Sequence, residues 1–208
     1  MHTSHPDGTL APMTDDLKHH LQRYLQTARE ALLWKLDGLG EYDLRRPLTP
    51  TGTNLLGLVK HCAATDVEYF GLCFDRPFPD PPAWFPLIET VPNIEMWATA
   101  DETADSITGL YKRVWDHSNA TIDALDLDSE GTVPWWPEER RTVTLGQILV
   151  HMIAETNRHA GHADIVRETI DGAAGLNERN SNLPPADQFD WPAYRDQVEQ
   201  AARTAAGE

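Results

Sequence analysis

Apolar residues recur at i, i+3, i+4 and i+7 in four long segments of the chain, the spacing of helices that bury one face. The first segment runs through Leu17, Leu21, Tyr24, Leu25, Ala28, Leu32 and Leu36 and stops near Gly38 and Gly40. Thr14 is placed to cap it, with Asp15 and Asp16 in a first turn that suits the helix dipole. A loop broken by Pro47, Pro50 and Gly52 leads to the second segment, NLLGLVKHCAATDVEYFGLCF, with Thr51 or Thr53 as its predicted cap. The third pattern, Ile107, Leu110, Tyr111, Val114, Ser118, Thr121, Ile122 and Leu125, is the cleanest. The fourth is TLGQILVHMIAETNRHAGHADIVRETIDG, opened by a Thr144–Gln147 capping box and stopped at Asp171-Gly172.

Other stretches do not follow that period. Residues 75–100 are rich in proline and aromatics, too broken for a long helix and too apolar for a plain linker, which predicts an irregular excursion packed over the helices or a partner. TVPWWPEERRTVT reads as a short extended loop or hairpin, and DWPAYRDQVEQAARTA as a C-terminal helix. No internal repeat and no strand series is visible, so the expected fold is all-α, a bundle of four long helices with irregular connections. The expected organisation is a flexible tail over 1–13, the bundle over 14–172, and a loop and helix over 173–208 that pack on it.

Composition narrows the class. The 208 residues are 40% hydrophobic and 24% charged, as in a globular protein, and carry a net charge of -16. That charge argues against nucleic acid and anionic membrane as partners, since both need clustered lysine and arginine. The two cysteines, Cys62 and Cys73, lie eleven residues apart in one predicted helix, roughly 16 Å along its axis and too far for a disulfide. Reduced thiols, no signal peptide and no apolar run of membrane-spanning length fit a cytoplasmic protein.

The fourth segment carries candidate chemistry. At about 100° per residue, His151, Glu155, His159 and His162 share an arc roughly 80° wide. Ile148, Met152 and Val166 project from the same side, so this polar stripe lies within the apolar face. One histidine there is most simply a satisfied core residue. Several ligand-competent groups facing a core need partners, and a metal ion serves them all. His61 lies on the apolar surface of the second segment, and bundle sites are built from facing helices. The candidate metal ligands are therefore His61, Glu155, His159 and His162. HExxH is absent, which removes a zincin mechanism. Gly161, within the same helix, allows close approach of a backbone or ligand. Trp135 and Trp136 line a substrate mouth or simply pack.

NLLGLVKHCAATDVEYF, followed later by TLGQILVHMIAETNRHAGHADIVRETIDG, resembles the DinB superfamily, most closely an actinobacterial branch similar to mycothiol-dependent transferases. The resemblance runs from about Leu17 to Gly172 and implies a four-helix bundle, often dimeric. It also implies a divalent metal, zinc or another first-row ion such as nickel, held by one histidine of the second helix and two ligands of the fourth. His61 matches the first ligand. Glu155 and His159 match the Glu-x-x-x-His pair of the maleylpyruvate isomerase relatives, and His162 stands where many members have glutamine. The third ligand is thus Glu155 or His162. Glu155 has the better claim, because a carboxylate on an apolar face is costly without a cation. The implied activity is S-transfer from a low-molecular-weight thiol to a small electrophile. A metal-dependent hydrolase and a non-catalytic metal-binding or dimerisation module are the alternatives. A homodimer is further expected from Trp84, Phe85 and Trp97, which are exposed unless something covers them.

Overall fold

Four long helices form the bundle, and a computed structural model describes them within residues 13–208, residue 182 excepted, with side chains from Asp16 onward. Of the expected tail over 1–13, residues 1–12 lie outside the described residues and Met13 already belongs to the first helix, while the side chain of Thr14, the predicted cap, is not among those described. The first long helix is α1 (Met13–Trp34), followed by a short α2 (Glu41–Arg45), and then α3 (Leu55–Asp66), α4 (Ala104–Ala124) and α5 (Leu145–Asp171) complete the bundle. A separate α6 (Trp191–Ala206) ends the chain. α1 packs along α5, and α3 lies against both α4 and α5. No helix among the described residues is long and apolar enough to cross a membrane. The protein is all-α apart from a two-stranded antiparallel hairpin, β1 (Glu130–Thr132) with β2 (Thr142–Thr144), whose loop carries Trp135 and Trp136.

Caps set the helix starts. Thr144 accepts from the Gln147 amide as its spacing predicts, and Gly172 closes α5 in the left-handed region at φ 82°. The second long helix differs from expectation: its cap is Asn54, whose side chain accepts from the Gly57 amide at 2.7 Å, and neither Thr51 nor Thr53 serves. Asparagine is as good a cap as threonine and stands one residue nearer the apolar run. The stretch expected to be loop also contains α2, whose Leu44 is buried and whose Arg45 pairs with Glu41 at 2.6 Å.

The second long helix is not uniformly α-helical. At Val67–Gly71 it opens into a π turn and then tightens to a 3-10 turn at Leu72–Phe74. Such turns cluster at functional sites. Cys62 and Cys73 lie on either side of it, both free and buried. The excursion over 75–100 packs on α2 and α3. Lys60, itself buried, donates to the Trp97 carbonyl at 3.0 Å, pairs with Glu102 at 2.9 Å and lies over the Trp84 ring at 4.4 Å. The Met96 carbonyl accepts from Asn54 at 3.2 Å and passes so close to α3 that a Cβ on Gly57 would stand 1.9 Å from it. Trp84 and Phe85 are therefore partly covered by the chain's own core, whereas Trp97 remains 52% exposed.

Two apolar clusters share the bundle. One gathers Leu32, Leu58, Val59, Cys62, Leu110, Val114, Ala160 and Ala163; the other gathers Leu25, Tyr69, Phe70, Ile122, Val143, Leu149 and Met152 toward the hairpin. On α5 the stretch between Met152 and Ala160 joins them, and that stretch holds Glu155 and His159. α6 has no buried residue. Its Trp191, Tyr194 and Val198 line an open cavity of about 950 Å³ shared with Trp34 and the end of α5.

Candidate metal centre

α3 is buried at every position except His61. Leucine, valine, alanine and cysteine surround that histidine in sequence, so the helix is held on all sides and its single opening faces α5. There the His61 and His159 rings meet nearly edge to face, with centroids 4.7 Å apart and planes at 70°. The expected approach of these two imidazoles across facing helices is found. Glu155 Oε1 lies between them, 2.9 Å from His159 Nε2 and 3.6 Å from His61 Nε2. One turn of helix separates Glu155 from His159, which is why both reach the same point.

The donor set fits a divalent ion. One ligand atom from each of His61, Glu155 and His159 lies within 4.8 Å of the others. Tetrahedral ligands at zinc distances stand about 3.3 Å apart, and the two measured separations straddle that value. Side-chain exposure of 19% for His61, 29% for Glu155 and 10% for His159 leaves one side open, as a catalytic site requires.

Protonation favours the same use. Burial lowers the pKa of His159 and the neighbouring His61 lowers it further, against the pull of Glu155, so the imidazole stays neutral and the Nε2 proton it directs at Glu155 is the one an ion would displace. Burial alone would raise Glu155. The hydrogen bond from His159 and the two nearby imidazoles outweigh it and hold the carboxyl below its ordinary range. A neutral imidazole beside an ionised carboxylate is the state a metal ion takes up.

The other residues of the stripe fall elsewhere. His162 is exposed and outside the converging group, its ring 5.4 Å from that of His159. His151 turns to Tyr69 and Trp136, with ring centroids 4.6 and 5.3 Å away. Tyr69 Oη accepts from the indole N–H groups of Trp135 and Trp136 at 3.4 and 3.2 Å. The tryptophan pair is thus anchored to the π turn, next to the α5 turn that precedes Glu155. Gly161 faces open space, so among the described residues no backbone makes the close approach expected there.

Sequence reasoning did not single out Glu95. It reaches the site from the excursion, its carboxylate 3.8 Å from His61 Nδ1. No periodicity marks it; the only hint is an acid between the apolar Ile94 and Met96. Glu68, one position into the π turn, is pushed up to about 7 by burial and then by the charges of Glu95 and Glu89.

No curated protein matches the chain. A family model described as mycothiol-S-transferase matches residues 20–172, from within α1 to the end of α5, and includes His61, Glu155 and His159. The chain belongs to the mycothiol-S-transferase family.

Proposed function

We propose that the protein is a divalent-metal-dependent S-transferase that joins a low-molecular-weight thiol, mycothiol by family, to a small electrophile. The observation that carries this reading is one carboxylate oxygen of Glu155 held between the Nε2 atoms of His61 and His159. In it, His61 and His159 hold the ion through neutral nitrogens, Glu155 supplies the anionic third ligand, and His162 stands outside. Two imidazoles and one carboxylate suit zinc first among the first-row ions. A divalent ion held there lowers the pKa of a coordinated thiol and keeps it a thiolate at neutral pH. The chain's own contribution is to shape the approach: α3 buries every flank of His61, and the Tyr69–Trp135–Trp136 group walls the neighbouring turn of α5. The reading includes a homodimer through the excursion around the half-exposed Trp97, which sedimentation at micromolar concentration tests.

The test is metal analysis of the purified protein followed by assays of an electrophile with and without added thiols. Electrophile loss that needs both thiol and metal, and that Glu155→Gln abolishes, is the expected result. Thiol-independent cleavage of an ester or amide would replace the transferase with a hydrolase.

A further inference from the structure

His61 has a carboxylate on each side. Its Nε2 faces Glu155 at 3.6 Å and its Nδ1 faces Glu95 at 3.8 Å. That Nδ1 is buried and has no hydrogen-bond partner, which for a polar atom in a core calls for an explanation. Glu95 is itself only 16% exposed, and among the described residues its one ion-pair partner within 4 Å is His61. Two groups that each lack a partner therefore face each other across a gap slightly longer than a hydrogen bond. A shift of about 1 Å brings them within hydrogen-bond distance.

The placement of Glu95 is fixed by its neighbours. Immediately before the turn Ile94–Met96, Asn93 adopts a left-handed conformation at φ 60°, which asparagine tolerates better than most residues. Immediately after, the Met96 carbonyl is held by Asn54 and the Trp97 carbonyl by the buried Lys60. Gly57 lets this strand of backbone lie directly on α3. The excursion is thus pinned on the residues flanking Glu95 and delivers one carboxylate to one imidazole nitrogen.

We propose that Glu95 is the positioning residue for His61, accepting the Nδ1–H proton so that Nε2 is the free, correctly aimed lone pair. An imidazole that binds an ion through one nitrogen carries its proton on the other, and a carboxylate acceptor there fixes the ring plane and raises ligand basicity. The role rests on the metal-centre reading above and adds a fourth residue that touches neither ion nor substrate.

Zinc titration against a competing chelator tests it in the native chain, Glu95→Ala and Glu95→Gln. Glu95→Ala should weaken zinc binding by about 10- to 100-fold, the range typical of such partners. Glu95→Gln, whose amide oxygen still accepts, should stay within a few-fold of native. In the zinc-loaded protein the His61 Nδ1–H proton resonance should move upfield in Glu95→Gln while zinc affinity stays within a few-fold of native, a combination that general loosening of the excursion does not produce. Equal zinc affinity in native and Glu95→Ala chains, or an unmoved resonance in Glu95→Gln, overturns the role of Glu95 while leaving the metal centre intact. A native chain that takes up no zinc overturns the metal-centre reading itself, and this role with it.

Discussion

One stretch of the second long helix carries two buried polar clusters, and they differ in what completes them. Asp66 pairs with Arg29 of α1 at 2.6 Å, with side chains 1% and 0% exposed. Asn119 accepts from the same guanidinium at 3.3 Å, and the Phe70 and Trp115 rings lie 5.8 and 6.0 Å from it. Charge meets charge within the chain, and nothing opens to solvent. Five residues earlier, His61 faces another carboxylate and a second imidazole, yet among the described residues no arginine or lysine pairs with them, and one side is open. A buried ion pair that is sealed from solvent serves the fold, even with Arg29 Nε and Asp66 Oδ1 left without partners among the described residues. A cluster that gathers donor atoms without a cation, beside an opening, is fitted to take one up.

The sharpest way to break this comparison is to remove one partner from each cluster. Asp66→Ala leaves Arg29 buried without its counter-charge and should destabilise the protein by about 3–5 kcal/mol, read from denaturant midpoints. Replacing Arg29 and Asp66 together by methionine and leucine should come much closer to neutral, because the apolar surroundings accept both. Glu155→Gln should instead act on metal retention, on the order of 100-fold or about 2.7 kcal/mol, measured by metal content after dialysis. His162→Gln should keep the metal. If His162→Gln strips it and Glu155→Gln does not, the third ligand is His162.

A smaller effect tests the link between excursion and site. Gly57→Ala puts a methyl 1.9 Å from the Met96 carbonyl, so backbone must move. Overpacking of this kind should cost about 1–3 kcal/mol, and zinc affinity should fall along with the displaced Glu95.

The smallest effect is a pH dependence. Burial, with Glu95 and Glu89, raises Glu68 to about 7 from its ordinary value of 4.5. The folded chain then holds a proton that the unfolded chain releases, so stability from this group falls as pH rises across that window. Metal-free native and Glu68→Gln chains should melt alike near pH 5, and the variant should melt higher at pH 8, by about 2–4 °C per kcal/mol recovered. The lowered pKa values of His159 and His117 give the opposite slope, but they do so in both chains.

Much of the centre was legible because it is written in helical period. His61 sits on an apolar face, Glu155 and His159 one turn apart on another, and helix packing alone brings such faces together. Thr144 and Gly172 were legible for the same reason, since cap chemistry is local. Glu95 was not, because its placement depends on Asn54, Gly57 and Lys60 gripping a proline-rich segment some forty residues away in sequence. Nor was the separation of His162 from Glu155. Both fall on one arc, and only the position of His61 across the seam decides which of them meets it.

The π turn at Val67–Gly71 has a consequence for chain length. It holds one residue more than an ordinary helical turn, so the flanking segments keep the phase they would have in a helix one residue shorter. Tyr69, inside the turn, is the residue whose direction depends on that surplus. A single deletion between 67 and 71 would therefore leave His61 facing α5 and Phe74 facing the hairpin, and would turn the phenol away from the two indoles it now receives. In this helix a change of length by one residue rewrites a single side wall of the candidate site and spares His61, Glu155 and His159.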